Sequence, residues 1–317
     1  MISRRLLRIK VLHVLYAYFK STDKSINQSE KELNFSIKKV YDLYHYLLLL
    51  MIDIRKFAEK QVEIAKNKRI PSEEDIHPNT TFIDNKVLKL LEESQGFQQY
   101  INEKKMSWVQ HPGLIKKLFE EIKHSEEYTN YMKKDRVLLN DDKQILVDIF
   151  TNIILLNEDL EQTLEEQSIF WNDDIDFVIG MIVKTLKNVK NEDNQEDIKL
   201  FPLFKNDDDR EFVKTLFRKS ILKFQENNKL IDNHTKNWEI ERIAFIDILL
   251  LNLAITEIAE FSSIPTRVSF NEYIEISKFY STEKSSVFIN GVLDKVIKEM
   301  KERNLIIKHG RGLIGES

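Results

Sequence analysis

The sequence predicts an all-α protein, and three observations support this prediction. The chain of 317 residues contains only 7 Gly and 5 Pro, whereas folds rich in strands need more turn residues. Apolar residues recur at helical spacing over most of the chain, and neither a strand pattern of any length nor a repeat is evident. The length is sufficient for two domains and a substantial buried core.

The first predicted helix covers residues 3–20, where an apolar stripe lies mostly apart from the basic residues. A polar connection with one short helical turn is predicted at 21–36. The helix expected at 37–66 is apolar almost all round near its middle, which indicates burial. A loop that holds two prolines follows at 67–81. Further helices are predicted at about 82–94, 95–106, 112–122, 125–135, 141–167 and 171–189.

An acidic segment at 191–209 is the best domain boundary in the chain. Beyond it the pattern predicts two long helices, at 210–235 and 238–261. Ser269 followed by Glu272 has the spacing of a capping box and predicts the start of another helix. A last helix is expected from about Ser285 to Met300, followed by a frayed tail.

Composition and motifs predict a binding protein and not an enzyme. The absence of Cys excludes disulfides, thiolate metal sites and cysteine nucleophiles, and it fits a reducing cytoplasm. The chain has no Gly-rich phosphate loop, no GxSxG elbow and no HExxH, and its histidines are scattered. We therefore expect no cofactor and no metal. The most apolar stretch, 243–255, is too short for a membrane span.

Charge is distributed unevenly although the formal net charge is only −4. Basic residues occupy the first twenty positions without any acid among them, at Arg4, Arg5, Arg8, Lys10 and Lys20. Such a basic end on an acidic chain favours a local contact with a polyanion. A solvated helix start is the alternative interpretation.

The stretch "IPTRVSFNEYIEISKFYSTEKSSVFINGVLDKV" (264–296) resembles the transcription antitermination factor NusB family. The matching residues are Pro265, Asn271, Glu272, Lys278, Phe288, Asn290, Gly291, Val292, Leu293 and Asp294. "ERIAFIDILLLNLAITEI" (241–258) is similar to the preceding family helix, with acids at Asp247 and Glu257. "SRRLLRIKVLHVLY" (3–16) is similar to the Arg-rich first helix of the family.

The resemblance implies a NusB-like helical bundle that is extended by an additional helical region. On this basis we expect four segments, which are the first helix of the bundle (1–20), a helical insertion (21–204), a NusB-like RNA-binding domain (205–300) and a flexible tail (301–317).

The function that the resemblance implies is regulation of transcription termination in the cytoplasm. The protein would bind boxA-type RNA of ribosomal RNA operons, together with NusE (a small-subunit ribosomal protein), in an elongation complex with RNA polymerase. The RNA methyltransferases that carry a NusB-like domain need a cysteine and a Gly-rich cofactor site, which this chain lacks. The remaining alternative is a non-catalytic helical interaction module of ribosome or rRNA assembly that has lost specific RNA binding.

The resemblance also implies roles for individual residues. The candidate RNA-binding residues are Arg4, Arg5, Arg8, Tyr16, Lys284 and Phe288. Arg is suited to bidentate contacts with phosphate, and an aromatic ring can stack on an exposed base. A core role is the alternative for both Tyr16 and Phe288.

Other family positions imply a partner contact and structural roles. Asp247 is the candidate for binding NusE. Asn271, Glu272, Asn290 and Gly291 are expected to be structural, and a glycine inside a helix is weak unless a neighbouring backbone approaches it closely. We therefore expect a close helix crossing at Gly291 and a hydrogen bond from Asn290 to the preceding loop.

Overall fold

The computed structural model describes residues 2–190, 198–235 and 244–315. Helices and no strand occur in these residues, which confirms the all-α prediction. The α-helices are α1 (Arg4–Lys20), α2 (Ile26–Lys66), α3 (Glu73–Ile76), α4 (Lys86–Glu93), α5 (Gln95–Lys104), α6 (Pro112–His124), α7 (Glu126–Met132), α8 (Leu139–Ile149), α9 (Glu158–Gln167), α10 (Ile175–Lys187), α11 (Asp207–Leu222), α12 (Phe224–Thr235), α13 (Phe245–Glu260), α14 (Thr266–Tyr280) and α15 (Ser285–Glu302). A π-helical turn (Phe150–Ile154) and a 3₁₀ turn (Gly310–Leu313) complete the elements.

The described residues form two compact units. Residues 38–203 form one unit, here called the extension unit. Residues 2–37 and 204–315 form the other, here called the bundle unit. The division falls inside α2, so the first part of that helix belongs to the bundle unit.

The extension unit is organised around the apolar middle of α2. Tyr46 stacks on Trp108 with ring centroids 4.0 Å apart, and the indole Nε1 of Trp108 donates a 2.9 Å hydrogen bond to the Tyr46 carbonyl. His45 stacks on Tyr100 at 3.9 Å. Burial lowers the pKa of His45 to about 4, so this imidazole is a neutral core group near pH 7.

The bundle unit surrounds α13, which is apolar on nearly every side and contacts α1, α11, α12, α14 and α15. A helix without a polar face must be covered all round. Three polar side chains inside this core are paired: Asn227 Nδ2 donates to Asn252 Oδ1 at 2.6 Å and to Thr256 Oγ1 at 2.9 Å. In α1 the middle is buried all round, because the helix packs against α11, α13 and α14, and the accessible side chains lie mainly at its two ends.

The predicted polar connection at 21–36 is wrong for most of its length, because α2 already begins at Ile26. The Ser25 hydroxyl accepts a hydrogen bond from the Gln28 backbone N–H at 3.2 Å, and the Gln28 side chain accepts one from the Ser25 N–H at 3.0 Å. This reciprocal pair is a capping box whose sequence signal was overlooked. Leu33 and Ile37 then bury one face of the helix start.

Two helices predicted as continuous are interrupted in the structure. The helix predicted at 141–167 is α8, the π-helical turn and α9, and Asn157 begins α9 by accepting a 2.8 Å hydrogen bond from the Leu160 N–H. The helix predicted at 210–235 is divided at Lys223 into α11 and α12. In the helix predicted at 238–261, residues 238–243 lie outside the described part, and α13 begins at Phe245.

The predicted capping box at Ser269 is also wrong. Helix α14 begins one turn earlier, at Thr266, immediately after Pro265. A proline disfavours a helical conformation for the residue before it and fixes its own φ, so it marks where this helix can begin. Ser269 and Glu272 are consequently internal to the helix and bond to other helices instead of its N-terminus.

The chain after α15 differs from the expected flexible tail. Residues 301 and 302 belong to α15, and the ammonium group of Lys308 donates to the carbonyls of Ile258 at 2.8 Å and Phe261 at 3.0 Å. These carbonyls lie at the end of α13, where helices leave acceptors without an intrahelical donor. Lys308 therefore attaches the segment to the end of the central helix.

The close-approach explanation for Gly291 is contradicted by the structure. Gly291 is exposed, and a Cβ built on it meets nothing within 4 Å, while the neighbouring Asn290 is exposed as well. The close contact occurs at Gly312 instead, where a Cβ would lie 1.9 Å from the Ser262 carbonyl oxygen. The spacing of apolar residues does not show which glycine lies against a neighbouring backbone. The sequence motif therefore could not distinguish an exposed Gly291 from a closely packed one.

We expect opposite effects from the same substitution at these two glycines. Gly291→Ala should stabilise the protein by up to about 1 kcal/mol, since alanine is the better helix former and has free space there. Gly312→Ala should destabilise it by about 1–3 kcal/mol, because the new Cβ overlaps a carbonyl. Thermal unfolding of both variants measures this, and a destabilised Gly291→Ala protein would contradict the observed exposure.

Candidate nucleic-acid interface

The most buried ion pair of the bundle unit joins α1 to α13. Arg8 Nε and Nη2 donate to Glu257 Oε2 and Oε1 at 2.8 and 2.6 Å, with side-chain exposures of 3% and 0%. Arg8 was predicted to bind RNA, and this position corrects that prediction. The guanidinium can point into the core because Glu257 of α13, the helix against which α1 packs, supplies a carboxylate there. Without that carboxylate, a buried positive charge would be costly.

Two further donors from α14 complete the surroundings of Glu257. The Ser269 hydroxyl donates to Oε1 at 2.7 Å and the Tyr273 hydroxyl donates to Oε2 at 2.8 Å. Burial and the negative charge of Glu257 raise the pKa of Tyr273 well above its usual value, so its hydroxyl remains a donor. Each carboxylate oxygen of Glu257 therefore accepts two hydrogen bonds.

The two preceding arginines lie nearer the surface, but each has an acidic partner. Arg4 Nε donates to Asp209 at 2.8 Å, and Arg5 donates to both carboxylate oxygens of Glu272 at 2.8 and 3.0 Å. Burial would raise the pKa of Glu272, but the hydrogen bond from Arg5 and the charges of Arg8 and Arg5 outweigh it and lower the pKa. The side chains of Arg4 and Arg5 remain 37% and 42% exposed, so both are accessible from solvent.

Phe212 of α11 is part of this arrangement although the sequence did not single it out. The guanidinium carbons of Arg4 and Arg8 lie 5.1 and 5.4 Å from the centre of its ring. Such cation–π contacts add to the ion pairs and fix the direction of both arginines. Nothing in the local pattern around Phe212 distinguishes it from an ordinary core residue.

The other end of α1 carries an exposed aromatic residue beside an unburied cation. Tyr16 is 42% exposed, and its ring centroid lies 5.8 Å from that of Phe245 at the start of α13. The Lys20 ammonium lies 4.8 Å from the Phe245 ring centre and 5.8 Å from that of Tyr16. We call Tyr16, Lys20 and Phe245 the aromatic–lysine face. The sequence identified Tyr16 as a candidate and counted Lys20 in the basic first segment, but it gave no signal for Phe245.

A series of contacts connects this face to the start of α15. Asp247, two residues after Phe245, accepts hydrogen bonds from the hydroxyls of Ser281 at 2.5 Å and Ser285 at 2.8 Å. Lys284 lies between these serines and is exposed. The turn that carries Lys284 is therefore held against the first turn of α13, the helix that begins with Phe245.

The same contacts correct the prediction for Asp247 as a partner-binding residue. Asp247 is buried and holds the turn between α14 and α15 against the first turn of α13. Phe288 is corrected too: it is only 7% exposed and belongs to the core, so its ring is closed to a base. Asn271 is exposed on α14, which does not match the structural role expected for it.

Neither a cluster of metal ligands nor a membrane-spanning helix occurs in the described residues. No group of three His, Cys, Asp or Glu residues within them is arranged to hold a metal ion. None of the helices in the same part of the chain combines the length and the apolar character that crossing a membrane requires.

A helical bundle with exposed aromatic rings beside cations is typical of proteins that bind nucleic acids. Comparison with known proteins agrees with this class. Residues 180–298 match the model of the NusB family. The NusB transcription antitermination protein of Salinibacter ruber is 43% identical over 114 residues, which are 36% of this chain and 71% of that protein. The chain therefore belongs to the NusB family.

Two other relatives with the same name are also similar. The protein of Chloroherpeton thalassium is 38% identical over 131 residues, which cover 41% of this chain and 58% of the relative. The protein of Natranaerobius thermophilus is 38% identical over 92 residues, which cover 29% and 66%. No solved structure matches the chain significantly.

The buried and the exposed arginines should respond differently to removal. Arg8→Met leaves Glu257 as an unpaired buried charge and should cost about 3–5 kcal/mol of stability. Arg5→Gln removes a partly exposed pair and should cost at most about 1 kcal/mol. Urea unfolding of the two variants measures the difference, and equal small losses would show that Arg8 is not the buried anchor described above.

Proposed function

We propose that this protein is a transcription antitermination factor that binds single-stranded boxA-type RNA through the accessible ends of α1 and the start of α15. Membership of the NusB family supports the antitermination role. The observation that carries the RNA-binding surface is the aromatic–lysine face, and the exposed Lys284 at the start of α15 is part of the proposed surface. Partnership with NusE and action in an RNA polymerase elongation complex in the cytoplasm are part of the same proposal.

Each part of the surface has a separate task. Tyr16 stacks on a base, because a partly exposed ring offers a face to any unstacked nucleotide. Lys20 and Lys284 contact phosphates. Arg4 and Arg5 contribute one shared phosphate contact at the other end of α1, since their acidic partners already satisfy some of their donors.

The ion pairs of Arg4 and Arg5 favour a second candidate function, because they neutralise the positive charge at the start of α1. With Asp209 and Glu272 beside them, Arg4 and Arg5 have no local excess of positive charge. A non-catalytic interaction module of ribosome or rRNA assembly without specific RNA binding would be compatible with this neutrality. The unburied Lys20 and Lys284 favour the RNA-binding function.

Fluorescence anisotropy with a labelled boxA-type RNA tests the proposal. Lys20→Gln with Lys284→Gln should weaken binding and reduce the log–log dependence on salt by about 0.7 for each lost phosphate contact. Tyr16→Ala should reduce affinity by about 1–3 kcal/mol per stacked base and leave the salt dependence nearly unchanged. Addition of NusE should tighten binding to the wild-type protein.

Lys295→Gln is the matched control, since Lys295 is an exposed lysine of α15 about three turns beyond Lys284. It should bind RNA like the wild type. If the double lysine variant is folded and retains both the affinity and the salt dependence of the wild type, the proposed surface is wrong. Absence of specific RNA binding by the wild type, with and without NusE, would favour the interaction module.

A further inference from the structure

The extension unit contains an open cavity of about 370 Å³ that has no part in the proposed RNA surface. It lies between α6, the π-helical turn and the start of α9. Its lining residues are Lys117, Glu121, Asn152, Ile153, Leu156, Asn157, Glu158 and Asp159. A cavity of this size can admit one or two large side chains of a ligand.

Its apolar part comes from the chain around the π-helical turn. The Leu155 N–H donates to the Phe150 carbonyl at 3.1 Å, five residues back, which widens the backbone at this point. Leu156 follows at once and is 71% exposed, with Ile153 half-buried beside it at the cavity. An exposed aliphatic side chain at the edge of a cavity is stabilised when an apolar group of a ligand covers it and removes its surface from water.

The polar part is fixed in place and mainly acidic. Asn157 Nδ2 donates to Glu121 at 2.8 Å, and Lys117 forms an ion pair with Asp159. Of the four charged lining residues three are acidic, so the wall carries a formal charge of −2. The cavity therefore favours a cationic ligand with an apolar portion.

The negative charge continues along α9 beyond the cavity. This helix contains five acids and no base, at Glu158, Asp159, Glu161, Glu165 and Glu166. Leu160 and Leu164 are directed into the core, so the acids lie on the exposed side. At 1.5 Å per residue the acidic side is about 12 Å long, which exceeds what a single lysine or arginine side chain can cover.

We propose that this cavity and the acidic side of α9 form a docking site for a basic, amphipathic segment of a partner protein. An aliphatic side chain of the segment enters the cavity and contacts Leu156 and Ile153. Lysine or arginine side chains on either side of it pair with the carboxylates of α9. The charge of the site repels RNA, so the site is distinct from the RNA surface of the bundle unit and stands whether or not that surface binds RNA.

The test uses the full chain and a fluorescein-labelled peptide of about 16 residues, with Leu and Lys at helical spacing. Two matched peptides replace either all Lys by Glu or all Leu by Ser. The Leu–Lys peptide should bind, the Glu peptide should not, and the Ser peptide should bind about tenfold more weakly because the cavity stays empty. Anisotropy titration at constant ionic strength measures all three.

Variants locate the peptide on the protein. Leu156→Gln should weaken the Leu–Lys peptide about tenfold, and Glu161→Gln with Glu165→Gln should weaken it and reduce its salt dependence. Leu222→Gln, at a leucine of the bundle unit that is 70% exposed, and Glu59→Gln, at an exposed acid of α2, are the controls and should bind like the wild type.

Any of four results would overturn the proposal, and the first three concern the peptides and the variants. They are the absence of peptide binding, equal affinity for the Leu and the Ser peptides, and unchanged affinity in both the Leu156→Gln and the double Glu variants. Displacement of the peptide by an equal concentration of spermidine would also overturn it, since the site would then bind small polyamines and not a protein segment.

Discussion

The buried pair between Arg8 and Glu257 is the constraint on which the rest of the bundle unit depends. A buried ion pair is weak evidence for net stability, because desolvation offsets most of the attraction. Its effect is on register. If α1 moved by one turn along α13, Arg8 would lose both of its hydrogen bonds to Glu257. The donors left on Glu257 would be the hydroxyls of Ser269 and Tyr273, which carry no positive charge. The pair therefore specifies a single position for α1.

That position decides which residues of α1 are available for function. With Arg8 directed inward, Tyr16 and Lys20 emerge beside Phe245, while Arg4 and Arg5 remain partly exposed at the other end. The basic residues of α1 are thus divided into a buried one, Arg8, that fixes the helix in place and accessible ones that can contact a ligand. The second half of the surface, around Lys284, is positioned by a separate buried carboxylate, that of Asp247. In this account both buried acids act by positioning and neither touches a ligand.

The sequence predicted the helical class and the family, because apolar periodicity and a long motif report directly on these features. It failed where the outcome depends on a partner distant in the chain. From the sequence, Arg8 and Phe288 were expected to contact RNA. In the structure Arg8 pairs with Glu257, and Phe288 is buried in the core around α15. The prediction of a close helix crossing at Gly291 was wrong because no neighbouring backbone lies there, and a glycine in a sequence cannot show whether one does. The capping box at Ser25 was within reach of the sequence and was overlooked.

The division between anchor and surface is tested most directly by a double variant, Arg8→Met with Glu257→Gln. It removes both charges, and the glutamine amide can accept from one of the Ser269 and Tyr273 hydroxyls and donate to the other. The protein should therefore fold with much of its stability restored relative to Arg8→Met alone. The measurement is its affinity for boxA-type RNA as a function of salt. The account predicts wild-type affinity and wild-type salt dependence. A folded double variant that binds weakly, with a flatter salt dependence, would show that Arg8 contacts the RNA and would contradict the account.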